Sequence, residues 1–146
     1  MTVQGDYQPT PIDWVREQIE AFEASGGAIN LTPRSGIRFI VVTMVGRTTG
    51  LVRKQAVIRV VHDGEYALIA SFGGAPQHPA WFHNLIANPD DVQIQDGPAP
   101  FPVRVREVFD TERALWWERA VEAYPKYEEY RQLTDRVIPV LVATPR

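Results

Sequence analysis

Near the start of the chain, apolar Ile12, Val15, Ile19 and Phe22 recur at three- and four-residue intervals. That spacing stacks side chains on one helix face. Thr10-Pro11-Ile12-Asp13 precedes them with a hydroxyl cap, a proline at the first turn and an acid close behind. Ser25-Gly26-Gly27 ends the pattern, so a helix over about residues 11–25 is predicted. The period then shortens. Arg38–Val45 is a β-branched run that reads as a buried strand, and the Gly46–Gly50 loop leads to a second strand, Val52–His62. Asp63-Gly64 is a hairpin turn, because both positions accept positive φ, and Glu65–Ser71 is the returning strand.

Beyond a glycine-rich stretch, Pro79 opens a short helix, Ala80–Ala87, which Asn88-Pro89 stops. Asp91–Gln95 is a short strand, followed by the turn Asp96-Gly97-Pro98. In Phe101–Phe109, Val103 and Val105 alternate with Arg104 and Arg106, the mark of a half-buried strand. Asp110 or Thr111 is expected to cap a helix that runs to Tyr124 and breaks at Pro125. A further helical piece covers Lys126–Thr134, and Ile138–Ala143 is the last strand. About six antiparallel strands with peripheral helices make an α+β fold, and a small barrel is the expected closure because it covers the strand edges. No repeat or linker interrupts residues 1–146, which are expected to form one domain.

Composition narrows the chemistry. Hydrophobic residues make up 45% of the 146, yet no apolar run approaches the roughly 20 residues of a membrane span. The first residues lack the basic start and apolar core of a signal peptide, so a cytoplasmic protein without stable membrane insertion is expected. The chain has no cysteine, hence no thiol nucleophile and no thiolate metal ligand. His62, His78 and His83 match no zinc spacing, and no metal site is expected. Neither nucleotide-binding glycine motif is present, nor is a serine nucleophile elbow.

The net charge of −3 gives no general pull toward nucleic acid. Its distribution is uneven. Between Ala24 and His62 there is no Asp or Glu, whereas Arg34, Arg38, Arg47, Arg53, Lys54 and Arg59 all fall inside. This suggests a locally handled anion, or else ordinary solvated arginines on strand faces. In the loop Gly46–Arg53, two glycines bend the chain while Arg47, Thr48, Thr49 and Arg53 offer donors to a phosphate. Plain turn chemistry is the other reading.

Ser71-Phe72-Gly73-Gly74-Ala75-Pro76 carries paired glycines, costly to order, which suits close approach of a flat ring to the main chain. Trp81 and Asn84 lie three apart on one helix face, either as packing and capping groups or as walls of that site. Tyr124, Tyr127 and Tyr130 repeat at spacing three across Pro125. They are either half-buried packing residues or donors lining a pocket, protonated near neutrality because phenol titrates at about 10.

Six runs then occur in order: Gly46–Gly50, His62-Asp63-Gly64, Gly73–Leu85, Ala87-Asn88-Pro89, Tyr124–Tyr130 and Thr134–Pro139. Together they resemble the deazaflavin-dependent nitroreductase family of actinobacteria, over nearly the whole chain. The resemblance implies a split β-barrel related to the flavin-mononucleotide-binding barrels. It implies coenzyme F-420, a flat deazaflavin on a long polyanionic tail, as cofactor. Arg47, Thr48, Thr49 and Arg53 would hold its phosphate and tail. Ser71, Phe72, Gly73 and Gly74, with Ala80, Trp81 and Asn84, would line the ring and linker. Tyr124, Tyr127 and Tyr130 would face the substrate, with Tyr127 or Tyr130 as the proton or hydrogen-bond donor.

The chain departs from the family pattern at Thr48 and Phe72, where lysines are usual, and at Ala56, where a proline is common. Lys54 or Arg59 is the nearby cation able to compensate. The implied activity is hydride transfer from reduced F-420 to a small electron-poor acceptor such as a quinone, enone or nitro compound. A monomer or a homodimer fits the resemblance. The alternatives are a non-catalytic barrel that binds lipid, quinone or cofactor, and an enzyme of the same fold using FMN.

Overall fold

The computed structural model describes residues 3–33 and 35–146; Met1, Thr2 and Arg34, the last from the acid-poor stretch, lie outside the described residues. The first helix is α1 (Asp13–Ala24), with Ile12 as its N-cap. Thr10 and Pro11 therefore stand just outside it, and the Thr10 hydroxyl accepts from the Ile12 N–H (3.3 Å), shaping the entry and capping nothing inside. The end is a two-glycine motif: Gly26 N–H donates to Glu23 O and Gly27 N–H to Phe22 O, with φ of +62° and +79°. Ile19 and Phe22, on the apolar face, are buried against Phe39 and Val41. Each such side chain contributes about 1.5–3 kcal/mol when fully buried.

The strands are β1 (Phe39–Val45), β2 (Val52–Ile58), β3 (Val61–His62), β4 (Glu65–Ile69), β5 (Val92–Gln95), β6 (Pro100–Val108) and β7 (Val140–Pro145). They form one sheet of seven strands in the order β2-β1-β5-β6-β7-β4-β3. Every pairing between them is antiparallel. β2 and β3 stand at opposite ends of that order, yet only Arg59 and Val60 separate them in the chain. A flat sheet cannot meet that condition. The sheet curls until its two ends can be joined by that short link, which gives the expected split-barrel form.

The crossing is held by Arg59 N–H to Arg38 O (3.0 Å) and Ala67 N–H to Val60 O (2.9 Å). The single strand expected over Val52–His62 is thus two strands, because the chain leaves one edge at Ile58 and joins the other at Val61. Asp63 and Gly64, with φ of +50° and +77°, make the tight turn into β4.

Alternation along the strands sorts the core. Ile40, Val42 and Met44 of β1 meet Leu68, Ile94 and Leu141 inside the barrel, where α2 (Ala80–Ala87) adds Phe82 and Leu85. On the other face of β4 and β7, Ala67, Ile69, Val140 and Val142 pack beneath α3 (Asp110–Ala123) and α4 (Lys126–Gln132). Phe109 is the N-cap of α3, not Asp110 or Thr111. Acids still open this helix, and Arg106 grips Glu112 with two hydrogen bonds (2.8 and 2.6 Å). No helix among the described residues is long and apolar enough to cross a membrane.

Candidate functional site

A cavity of about 1170 Å³ opens between α1, the loop after it, β2, the Ser71–Gly73 segment and the break between α3 and α4. It gathers Ala56, Ser71, Phe72, Gly73, Trp81 and all three tyrosines from the residues singled out in the sequence. Trp14, Ile29 and Leu31, all more than half exposed, extend its wall outward. Among the described residues, Glu17 is the one charged group on its lining, and none of them is a cation. The cavity therefore suits an uncharged, flat, largely apolar group.

Its tyrosines meet ring to ring because Pro125 breaks the helix. Tyr124 leaves α3 in extended backbone (φ −149°, ψ 91°), and α4 restarts at Lys126. The Tyr124 and Tyr130 hydroxyls share a hydrogen bond (3.1 Å). Burial first, then that hydrogen bond, pushes Tyr124 up to about 12. Tyr127 is deeply buried against Trp117 and both other tyrosines, and its burial holds the hydroxyl far above the ordinary phenol range. Both remain protonated donors at neutral pH.

The glycine-rich segment forms the facing wall. Phe72, Gly73 and Gly74 take φ of +48°, +62° and +80° in succession. Left-handed backbone costs a non-glycine residue about 1–2 kcal/mol, so Phe72, more than half exposed, is held there by its surroundings. The two glycines serve different ends. A Cβ on Gly73 would meet nothing within 4 Å, leaving open space beside the cavity. A Cβ on Gly74 would lie 2.9 Å from both Tyr130 O and Leu133 Cβ. The group that approaches Gly74 is α4 itself.

The remaining residues singled out from the sequence stand apart from the cavity lining: Arg47, Thr48, Thr49, Arg53, Lys54, Gly74, Ala80 and Asn84. Arg47, Thr48 and Thr49 are exposed on the Gly46–Gly50 loop. Asn84 accepts from the Arg47 N–H (3.1 Å) and so ties α2 to that loop, while the Thr49 hydroxyl accepts from the Leu51 N–H (3.2 Å). Lys54 donates to Glu23 (2.6 Å) and lies over the Tyr7 ring (4.7 Å).

Arg38 and Arg59 converge on Asp96, at 4.0 and 2.9 Å, and Asp96 also accepts from the Tyr66 hydroxyl (2.6 Å). The acid-poor stretch of sequence is thus supplied with carboxylates from elsewhere in the chain. Among the described residues, Arg47 and Arg53 are its cations without a carboxylate partner.

One residue of the site had only membership of the Thr134–Pro139 run to mark it. Arg136, between α4 and β7, reaches Ala70 O, Ser71 O, Ala75 O and His78 Nδ1.

Comparison with known proteins identifies related chains. The family model for F-420-H(2)-dependent quinone reductase matches residues 14–145. A relative from Mycobacterium tuberculosis named as an F-420-H(2)-dependent quinone reductase, and one from Mycobacterium bovis named as a putative one, are each 43% identical over 88 residues. That alignment covers 58% of this chain and 58% of theirs, so the chain spans little more than half the length of the curated relatives it matches. A solved F-420-H2-dependent reductase, FDR-A, is 44% identical, with a TM-score of 0.68 over 72% of this chain and 92% of its own. A second solved chain, described as a domain-swapped dimer, is 42% identical with a TM-score of 0.71, covering 92% of this chain and 99% of its own.

Proposed function

The chain belongs to the F-420-H(2)-dependent quinone reductase family, and on that premise we propose that it is an oxidoreductase that passes a hydride from reduced F-420 to an electron-poor acceptor. A quinone is the first acceptor to consider, with enones and nitro compounds in the same chemical class. The observation that carries this reading is one cavity walled by Ser71, Gly73 and three tyrosines and, among the described residues, lined by no cation and leaving Arg47 and Arg53 outside it without a carboxylate partner.

That division fits the group. The open space at Gly73 and the aromatic walls suit a flat ring, and the exposed Arg47-Thr48-Thr49 loop with Arg53 suits an anionic tail. When bound, the cofactor supplies the hydride and its two electrons. The protein positions and polarises. Ser71, Gly73 and Trp81 would hold the ring against the cavity wall. In the Tyr124–Tyr130 pair one hydroxyl donates to the other, which leaves the second proton free for the acceptor oxygen as it gains charge. Tyr127 holds both rings in place from beneath. Lys54, already neutralised by Glu23, contributes packing at α1. With a relative described as a domain-swapped dimer, a homodimer is the assembly to test beside the monomer.

The test is anaerobic mixing of the protein with reduced F-420 and a naphthoquinone, following the reappearance of oxidised deazaflavin absorbance. Oxidation that depends on protein supports the reading. Tight binding of F-420 with no oxidation by any of the three acceptor types would replace it with a cofactor-binding role, and flavin bound in place of F-420 would point to FMN chemistry.

A further inference from the structure

We propose that Arg136 is a positioning residue: its guanidinium latches the Ser71–His78 loop to the segment behind α4, and this latch sets the cavity wall on which ring binding depends. The proposal rests on the functional reading above only for the identity of the ring.

Four hydrogen bonds carry it. Nε donates to Ala75 O (2.8 Å), Nη1 to Ala70 O (3.1 Å) and His78 Nδ1 (2.9 Å), and Nη2 to Ser71 O (2.6 Å). The acceptors lie on both sides of the turn, so one planar fork pins its entrance and its exit together. Arg136 is partly buried, and among the described residues it makes no ion pair with a carboxylate. Its charge is balanced by carbonyl dipoles and an imidazole lone pair. Removing it would take a donor from each of those acceptors, and Ser71 O would keep only the Gly74 N–H.

The loop needs such a hold. Three consecutive residues have positive φ, one of them Phe72. Its own turn closes on Gly74 N–H to Ser71 O (2.9 Å) and Ala75 N–H to Phe72 O (3.0 Å). From the other side, Gly74 rests on Tyr130 and Leu133 of the tyrosine helix and its end. The loop is therefore clamped between two parts of one stretch, 130–136, and Ser71, Phe72 and Gly73 on the cavity wall are fixed relative to the tyrosines.

The fourth bond makes the latch sensitive to pH. His78 Nδ1 accepts only while unprotonated, and the groups facing this ring are Arg136, His83 (6.0 Å between centroids) and Phe82 (4.9 Å). Burial, then Arg136 and His83, hold His78 below the ordinary histidine range. A proton there would set a second cation against the guanidinium. The latch is thus intact above the usual histidine pKa and weakens as pH falls through the lowered value.

Three proteins decide the matter: wild type, Arg136→Lys and His78→Asn, whose amide oxygen can still accept but does not titrate. Amide hydrogen exchange in ligand-free protein reads the latch, and fluorescence titration with F-420 at about pH 7.5 and at an acid pH where NMR shows the His78 ring protonated reads its consequence. Lysine cannot reach all four acceptors, so exchange at Gly74 and Ala75 should quicken at least about tenfold, with β1 unchanged, and the F-420 Kd should rise about tenfold. His78→Asn should bind F-420 with less loss at the acid pH than wild type shows. Unchanged exchange and affinity in Arg136→Lys would overturn the latch. Should that variant not fold, wild-type loop exchange that fails to quicken in acid beyond the intrinsic rate would overturn it equally. Failure of wild type to bind F-420 overturns the proposed function alone, and the exchange contrast still decides the latch.

Discussion

Adjacent glycines with similar backbone angles allow the packing of the site to be weighed directly. Alanine at either Gly73 or Gly74 must adopt left-handed φ, at about 1–2 kcal/mol, partly offset by about 0.4–1 kcal/mol from a stiffer unfolded chain. At Gly73 the added methyl meets open space, so the net cost should be about 1 kcal/mol or less. At Gly74 it lies 2.9 Å from a backbone carbonyl of α4 and from Leu133 Cβ, neither of which can swing away. Forcing the loop off α4 adds about 1–3 kcal/mol of overpacking, for a total near 2–4 kcal/mol. For a chain of this size that lowers Tm by roughly 5–15 °C. Urea unfolding of both variants, with equal m-values, isolates the steric part as their difference. Equal stability of the two variants would refute the claim that α4 closes on the loop at Gly74.

Other consequences follow from the same geometry. Tyr124→Phe or Tyr130→Phe breaks the hydroxyl pair, and each should slow turnover roughly 10–100-fold in a stopped-flow assay with little change in F-420 affinity. Because Tyr124 is pushed up to about 12 and acts in its protonated form, its contribution should stay level through neutral pH and be lost only as pH rises toward that value. The pH–rate profile of the wild type, set beside that of Tyr124→Phe, checks this. Glu17→Lys reverses a charge on the cavity lining, so the kcat/KM ratio of a naphthoquinone sulfonate to its neutral parent should rise by about 3–10-fold, less so in high salt. Asp96→Ala strands Arg59 and the Tyr66 hydroxyl and should cost about 2 kcal/mol in urea unfolding, moderated because Arg59 is part-exposed.

Much of the fold is local chemistry and could be read as such. The glycine pair after Ala24, the Asp63-Gly64 turn and the alternation through Val103 and Val105 each depend on neighbours within a few residues. The strand order did not have that support. That β2 and β3 reach opposite edges follows from where β4 and β7 pair, and nothing near Arg59-Val60 marks the break between them.

The site divides in the same way. The tyrosine spacing and the glycine-rich run were legible, and both line the cavity. The electrostatics were not, because Glu23 and Asp96 lie far in sequence from the Lys54, Arg38 and Arg59 charges they balance. Arg136 was equally hidden, since its acceptors lie about sixty residues back along the chain. Gly74 reads as a cradle for a ligand until α4 is placed against it.

The most direct test of the central claim is titration of wild type, Arg47→Ala and Arg53→Ala with F-420, each at two salt concentrations. The account expects wild-type binding that weakens with salt. Each variant should lose affinity by about threefold to tenfold and show a shallower salt dependence, because these two cations stand without a carboxylate partner outside the ring cavity. Binding that ignores both salt and the two substitutions would contradict the assignment of the tail to this loop, and an absence of F-420 binding would contradict the proposed function itself.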